Sequence, residues 1–350
     1  MTHLKRIIFY ILNLCILFNF PVFSVVQTSN VSTPSIVVTI KPIYGLVAAI
    51  TDGVLTPTLL CDKRGSSTHT LSLAPSDIRT LSEASLVIWV GSSYETMMAK
   101  ALLKAIPTDQ LVTLEEAPGL RLYPQRTGGL FSVGCSHCCE HTHANDKKTK
   151  SHTHDHSHEH MSIDGHFWLD IENAKHCARF IEKTLSTKYP AHKDTFTANL
   201  VKLEGALNAF KLELLATLAP LRSQIALIDH DSLYYMENQF GFTIKGVLSE
   251  EPDMPPSPKH LQKLKDELDA NSDEKLIKVF FFNGEGSKMA HPLLQKLATE
   301  YQIPLAPLNY EGDNLSLSID TYETCLRHVA MQLLNGFKCV QNSSVQQSMP

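Results

Sequence analysis

Imidazole is the side chain through which this sequence most plainly offers chemistry. Nine of its seventeen histidines stand between Cys135 and Asp170; apart from His137, which lies among the cysteines, they fall into two groups. His141, His143, His152, His154, His156, His158 and His160 alternate with polar residues and follow Cys135, Cys138 and Cys139. Such a segment has no apolar side chains with which to build a core, so it is expected to be disordered without metal and free to ligate. Those seven imidazoles are read as auxiliary metal ligands that scavenge or sense the ion, which a tethered loop would concentrate near a second site. The cysteines would either add thiolates or close a local disulfide. His166 belongs to the second group, since HFWLD is apolar enough to fix its ring in the fold.

The elements around it alternate regularly. SIVVTI from Ser35 reads as a strand, and Lys41-Pro42 opens a helix that runs to Gly53. Further strands are expected at Val54–Leu60, Leu86–Val90 and Leu111–Leu114, with helices from Pro75 to Ala84 and Tyr94 to Ile106. Two helices follow the histidine-rich insert, about Glu172–Lys188 and His192–Leu218. The second carries Phe196, Leu200, Leu203, Ala206, Leu207, Phe210 and Leu214 at steps of three and four, a stripe long enough to bridge two lobes. From Gln224 the rhythm resumes, with strands QIALID, FTIKGVL, KLIKVFFF and IPLAPL and helices between them, the last from Ile319 to Phe337. Repeated strand–helix units predict an α/β fold with parallel sheets. The expected organisation is a signal peptide over 1–24, an N-terminal lobe over 33–190 with the disordered insert at about 125–163, a linking helix over 191–220, a C-terminal lobe over 221–339 and a flexible tail over 340–350.

Ligands of open parallel sheets gather at the carboxyl ends of the strands. Three single histidines are expected there: His69 after the second strand, His166 after the fourth and His230 directly after QIALID. Glu285, in NGEGS after KLIKVFFF, is a fourth candidate. Two histidines from one lobe facing one histidine and a carboxylate from the other would close a four-coordinate site in the cleft. Three imidazoles with one carboxylate or water match the tetrahedral preference of Zn²⁺. Asp170, Asp229 and Asp231 are the acids placed by sequence to orient the rings. Each histidine taken alone reads equally well as a surface or capping residue. His176, His192, His260, His291 and His328 fall on helices and are read as solvated.

Composition narrows the class. A chain of 350 residues with 43 % apolar content has material for two cores. Lys5 and Arg6, the apolar run Ile7–Phe20 and the small-residue pattern at Val22 and Ser24 read as a secretory signal. The run is short against the roughly 20 residues of a membrane-spanning helix, which is the rival reading. Removing Lys5 and Arg6 takes the net charge from −5 to −7, and no Lys/Arg cluster remains for phosphate neutralisation, so nucleic acid is not an expected partner. With Cys15 inside the signal, the mature chain keeps an odd set of cysteines: Cys61, Cys135, Cys138, Cys139, Cys177, Cys325 and Cys339. One thiol at least must then be free, metal-bound or paired between chains.

TIKPIYGLVAAITDGV, GSSTHTLSLAPSDIRTLSEASLVIWVG, HFWLDIENA, IDHDSLYYMENQFGF and EEPDMPPSPKHLQKLKDEL, in that order, make the chain resemble the cluster 9 metal-binding receptors of ABC importers. Among these it is most similar to the high-affinity zinc receptors. The resemblance runs from about Val37 to Phe337. It implies two (β/α)₄-type lobes joined by a long rigid helix, Zn²⁺ held between them, a periplasmic location and delivery to a membrane permease by a monomer with no small organic substrate. By motif position, His69, His166 and His230 take the places of the family's zinc histidines. Departures bear on the fourth ligand: Thr68 stands beside the first histidine, and Asn283 occupies the place of a family acid, with Glu285 displaced by two. Water is therefore the alternative to Glu285. Cys339 fits half of a family disulfide, but Lys278 and Val279 stand where its partner would be, so no bridge is expected. Competing readings are a receptor for Mn²⁺, a metal-storage or adhesion protein, and a zinc hydrolase, although nothing like HExxH occurs.

Overall fold

The computed structural model describes residues 35–60, 69, 71–131, 162–249, 254–270, 276–283 and 291–346. Glu285, the seven alternating histidines, the three cysteines beside them and the expected signal peptide lie outside these.

Two four-stranded sheets, parallel throughout, organise the chain. In the first, β1 (Ile36–Val38), β2 (Thr58–Leu59), β3 (Leu86–Trp89) and β4 (Leu111–Thr113) lie in the order β2-β1-β3-β4. In the second, β5 (Ile225–Ile228), β6 (Thr243–Val247), β7 (Ile277–Phe282) and β8 (Leu305–Pro307) repeat that order as β6-β5-β7-β8. The helices of the first half are α1 (Lys41–Thr51), α2 (Pro75–Ser82), α3 (Thr96–Ala105), α4 (Ile171–Lys188) and α5 (Lys193–Leu218). Those of the second are α6 (Tyr234–Phe240), α7 (Pro258–Ala270), α8 (His291–Tyr301) and α9 (Thr321–Gln346). Each sheet therefore has a crevice where the direction of winding reverses, between β1 and β3 and between β5 and β7.

Strand periodicity divides the apolar residues between two faces. Ile36, Val38 and Ile88 of the first sheet join Ala226, Ile228, Val279 and Phe281 of the second in one continuous core with α1, α4, α5 and α9. Val37, Val87 and Trp89 face the other way, onto α2 and α3. Leu227 and Phe280 do the same onto α7 and α8. Helix α5, about 39 Å long at 1.5 Å per residue, buries Phe196, Leu203, Leu207, Phe210, Leu214 and Leu218, while Ala206 of the expected stripe is exposed. Its Asn199 amide donates to the carbonyls of Ile50 (3.0 Å) and Asp52 (2.9 Å), closing the end of α1.

Polar contacts bolt the halves together. Lys41 donates to the carbonyls of Asp313 and Leu315, each at 2.9 Å, and Tyr322 donates to that of Trp168 at 2.8 Å. Helix α9 returns to the first half and packs on α1 so closely that an ideal Cβ on Gly45 would lie 2.2 Å from the Tyr322 backbone nitrogen.

Three expectations are corrected. Residues 125–131, assigned to the disordered insert, are ordered against the second half: Leu130 is buried in its core and its carbonyl accepts from Val247 N at 2.8 Å. On the other side of the insert Ile163 bridges Pro124. Residues 340–346 continue α9 instead of forming a flexible tail, for the sequence there has no Gly or Pro to stop a helix. His260 is fully buried and its Nε2 lies 2.8 Å from the Val247 carbonyl.

The Gly45 contact yields a test. Gly45→Ala should cost about 3 kcal/mol through overpacking against backbone that cannot rotate away, read as a lower denaturant midpoint. A variant as stable as the parent would show that α9 is not held as described.

Candidate metal centre

The three histidines come from three separate stretches of chain. His69 follows β2, His230 follows β5, and His166 lies in a short 3-10 helix, Gly165–Leu169, that leads into α4. All three are buried. Among the described residues they form one group, with ligand atoms all within 4.8 Å of one another. The Nε2 atoms of His69 and His166 are 3.0 Å apart. Ring centroids are separated by 4.9 Å for that pair and by 5.5 Å from each ring to His230. Two imidazoles on one tetrahedral Zn²⁺, with Zn–N near 2.0–2.1 Å, hold their nitrogens roughly 3.3 Å apart, so the three rings already stand close to coordinating distance.

The backbone around each ring is fixed by its neighbours. Thr96 Oγ1 donates to the His69 carbonyl at 3.2 Å, and the Tyr94 ring lies 4.3 Å from that of His69. Asp164 Oδ1 accepts from the His166 backbone nitrogen at 2.9 Å and lies 2.7 Å from its Nδ1. With the Nδ1 proton given to that carboxylate, the His166 Nε2 lone pair faces the centre. Asp229 Oδ1 accepts from the His230 backbone nitrogen at 2.9 Å, and its Oδ2 accepts from Asn283 N at 2.7 Å. The Tyr310 hydroxyl stands 3.0 Å from His230 Nε2. Tyr94, Trp168 and Tyr310, all buried, wall the group off from solvent.

Burial sets the charge. Desolvation, reinforced first by the His166 imidazole and then by that of His230, holds His69 well below the ordinary histidine pKa. Desolvation and then His230 do the same for His166. Desolvation pushes the Asp164 carboxyl up to about 7. Neutral imidazoles are the ligating form, so these two rings need lose no proton to take a metal at neutral pH.

The acids expected to orient the rings divide differently. Asp229 fixes the turn at His230, and its Oδ1 stands 3.5 Å from the Nδ1 of that ring. Asp170 caps α4 through Glu172 N and receives the Gln239 amide at 2.7 Å, away from the rings. Asp231 pairs with Arg126. Asp164, which takes the orienting role, went unnoticed; the signal available was an acid two residues before a histidine at the mouth of an apolar run. Tyr94, Tyr310 and Glu311 were missed as well. Glu311 is buried and accepts from the Tyr94 hydroxyl at 2.8 Å. All three lie just beyond strands, where the rule that located the histidines would have found them.

Residues 36–336 match the family model of ZnuA, described as the periplasmic component A of the zinc-uptake complex. A high-affinity zinc uptake system protein ZnuA from Brucella abortus is 33 % identical over 250 residues, covering 67 % of this chain and 72 % of that one. The Yersinia pestis protein of the same description is 27 % identical over 312 residues, covering 88 % and 93 %. The fold is similar to that of the periplasmic zinc-binding protein TroA from Treponema pallidum, with a TM-score of 0.67 at 17 % identity over 87 % of this chain and 99 % of that one. A crystal structure of ZnuA matches with a TM-score of 0.63 at 21 % identity over 87 % and 99 %.

The electrostatics predict a pH dependence. Because the folded pKa of His69 lies below its unfolded value of about 6.5, the unfolded chain alone takes up this proton as pH falls through the window beneath that value. Stability is full above the window and lost within it. One unit below 6.5 the loss from this ring should be roughly 1 kcal/mol. Denaturant titrations of metal-free parent and His69→Gln at about pH 7.5 and 5.5 should differ by that amount; equal slopes would mean that the ring is protonated where it stands.

Proposed function

The chain belongs to the ZnuA family, the periplasmic component A of zinc-uptake complexes, and we propose that it captures Zn²⁺ with high affinity through His69, His166 and His230 and delivers it to the membrane permease of an ABC importer. The observation that carries this reading is the convergence of three buried imidazoles from both halves of the chain on one point. Zn²⁺ is cargo here. Three neutral nitrogen donors suit it, whereas a site dominated by carboxylates would favour Mn²⁺. The fourth position is assigned to Glu285 or to a water.

Capture exploits an arrangement that is already made. The rings lie near coordinating distance, are stripped of water and face tyrosines that keep solvent out, so little reorganisation is spent on binding. Asp164 holds the Nδ1 proton of His166 and directs the opposite nitrogen to the metal. Release at the permease is assigned to a small movement between the halves that separates His230 from the other two rings. The histidines of 141–160 serve as an auxiliary scavenger that hands Zn²⁺ to the cleft, on the strength of their composition and of their place between two stems, one docked on the second half and the other leading into His166. The expected signal over 1–24 would place the mature chain in the periplasm. No helix among the described residues is long and apolar enough to cross a membrane.

Two measurements check the proposal. In a chain lacking residues 135–160, His166→Ala should weaken Zn²⁺ binding by more than about 100-fold, since groups that merely orient a ligand are worth about 10–100-fold. Unchanged affinity would remove the assignment of the site. The deletion by itself should keep one tight site while lowering total bound zinc and slowing uptake when zinc is scarce. Unaltered stoichiometry and uptake would end the scavenger role.

A further inference from the structure

The segment between β4 and the insert crosses from the first half to the second. Tyr123 N receives no strand partner; it donates to the Tyr235 hydroxyl of α6 at 2.9 Å, and that hydroxyl donates to the Asp164 carbonyl at 3.1 Å. Three residues on, the Arg126 guanidinium is clasped between the rings of Phe131 and Tyr234, 4.0 and 4.3 Å from their centroids. Its Nε donates to Asp231 Oδ2 at 2.9 Å, one terminal nitrogen donates to Asp231 Oδ1, and the other donates to Glu237 Oε2 at 2.7 Å. All three side chains are largely buried, with 15 %, 22 % and 15 % of their surface exposed. Leu130 locks the far end of the segment onto β6, where Gly246 is required because a Cβ there would lie 2.2 Å from that of Leu130.

Asp231 is the residue after His230. Its carboxylate is gripped side-on by the planar Arg126 fork, a strongly directional ion pair. Other restraints on His230 include the Asp229 contacts, the bond from Ser232 N to the His230 carbonyl at 2.9 Å and the Tyr310 hydroxyl 3.0 Å from Nε2. Those are internal to the second half or reach β7. Beyond the ties that hold the halves together elsewhere, the Arg126 fork adds a tether from the first-half segment at the residue next to His230.

We propose that Arg126 is a positioning residue for zinc binding: by holding Asp231 it sets His230 in register with the two histidines of the first half. This rests on the zinc site assigned above. Removing the fork leaves Asp231 partly buried without its cation, frees the turn to rotate and lets His230 leave the coordinating geometry. Glu237 lies farther along α6, so its bond to Arg126 anchors the helix without acting on the histidine.

The test uses the full chain and competition between Zn²⁺ and a chelator to read the tightest site. Arg126→Met, with packing on Phe131 and Tyr234 retained, should weaken Zn²⁺ about tenfold or more and speed its dissociation. Asp231→Asn should weaken it similarly, and the double variant no further than the worse single one. Glu237→Gln should lower the thermal midpoint of the metal-free protein while leaving affinity within about twofold. Arg126→Met with parental affinity would overturn the proposal, as would equal affinity losses in Arg126→Met and Glu237→Gln tracking their stability losses, which mark a purely structural residue. If Arg126→Met does not fold, Asp231→Asn decides alone: parental affinity there refutes the link. A parent chain without a tight Zn²⁺ site would instead refute the zinc reading itself.

Discussion

Three imidazoles are buried against one another, desolvation holds two of them, His69 and His166, in the uncharged form, and much of the structure answers to that constraint. A protonated ring in this position would meet two neighbours with which it must compete for a single small volume, with little water to share the charge. Folding therefore keeps His69 and His166 as lone-pair donors. Without a metal, His69 and His166 meet through a hydrogen bond, their Nε2 atoms 3.0 Å apart with one ring donating to the other's lone pair. On the zinc reading proposed above, a divalent cation would replace that hydrogen bond by coordination, and selectivity would begin in the donor set.

The two sheets serve the constraint by symmetry of construction. Each brings its strand ends to the same cleft, and the crevices at β1/β3 and β5/β7 leave room for loops rather than helices to meet. A continuous core through α1, α4, α5 and α9, with the polar ties of Lys41 and Tyr322, leaves the halves little freedom to drift. A site assembled from three distant stretches of chain needs that stiffness, since a shift of one half by a fraction of a bond length would separate ligands that have no direct bond between them.

Much of this was legible in the sequence. Alternating apolar runs located seven of the eight strands within a few residues, and the rule that ligands collect beyond strand carboxyl ends selected His69, His166 and His230 from seventeen candidates. What remained hidden depended on direction rather than position. Asp164 and Asp170 flank the same short helix, and no pattern tells which carboxylate turns toward the ring; the structure gives Asp170 to the cap of α4. His260 reads as solvated because its neighbours Lys259 and Gln262 are polar, yet it stands on the buried face with Leu264 and Leu268. Composition places Arg126 in the insert, because a composition shift marks where order ends only when no long-range partner reaches back across it. The shortest strand, β2, was predicted too long because Val54 and Leu55 continue the apolar run before the chain has turned.

Helix α9 carries a further consequence. The last element of the chain completes the core of the first half, so the half that is synthesised first cannot be finished until the final helix is available. Its packing pairs residues near 45 with residues near 322, among the longest sequence separations the chain allows, and closure over such a span comes late in folding. The N-terminal sheet must wait with an unsatisfied α1 surface, and truncation at the far end of the chain would be felt first there.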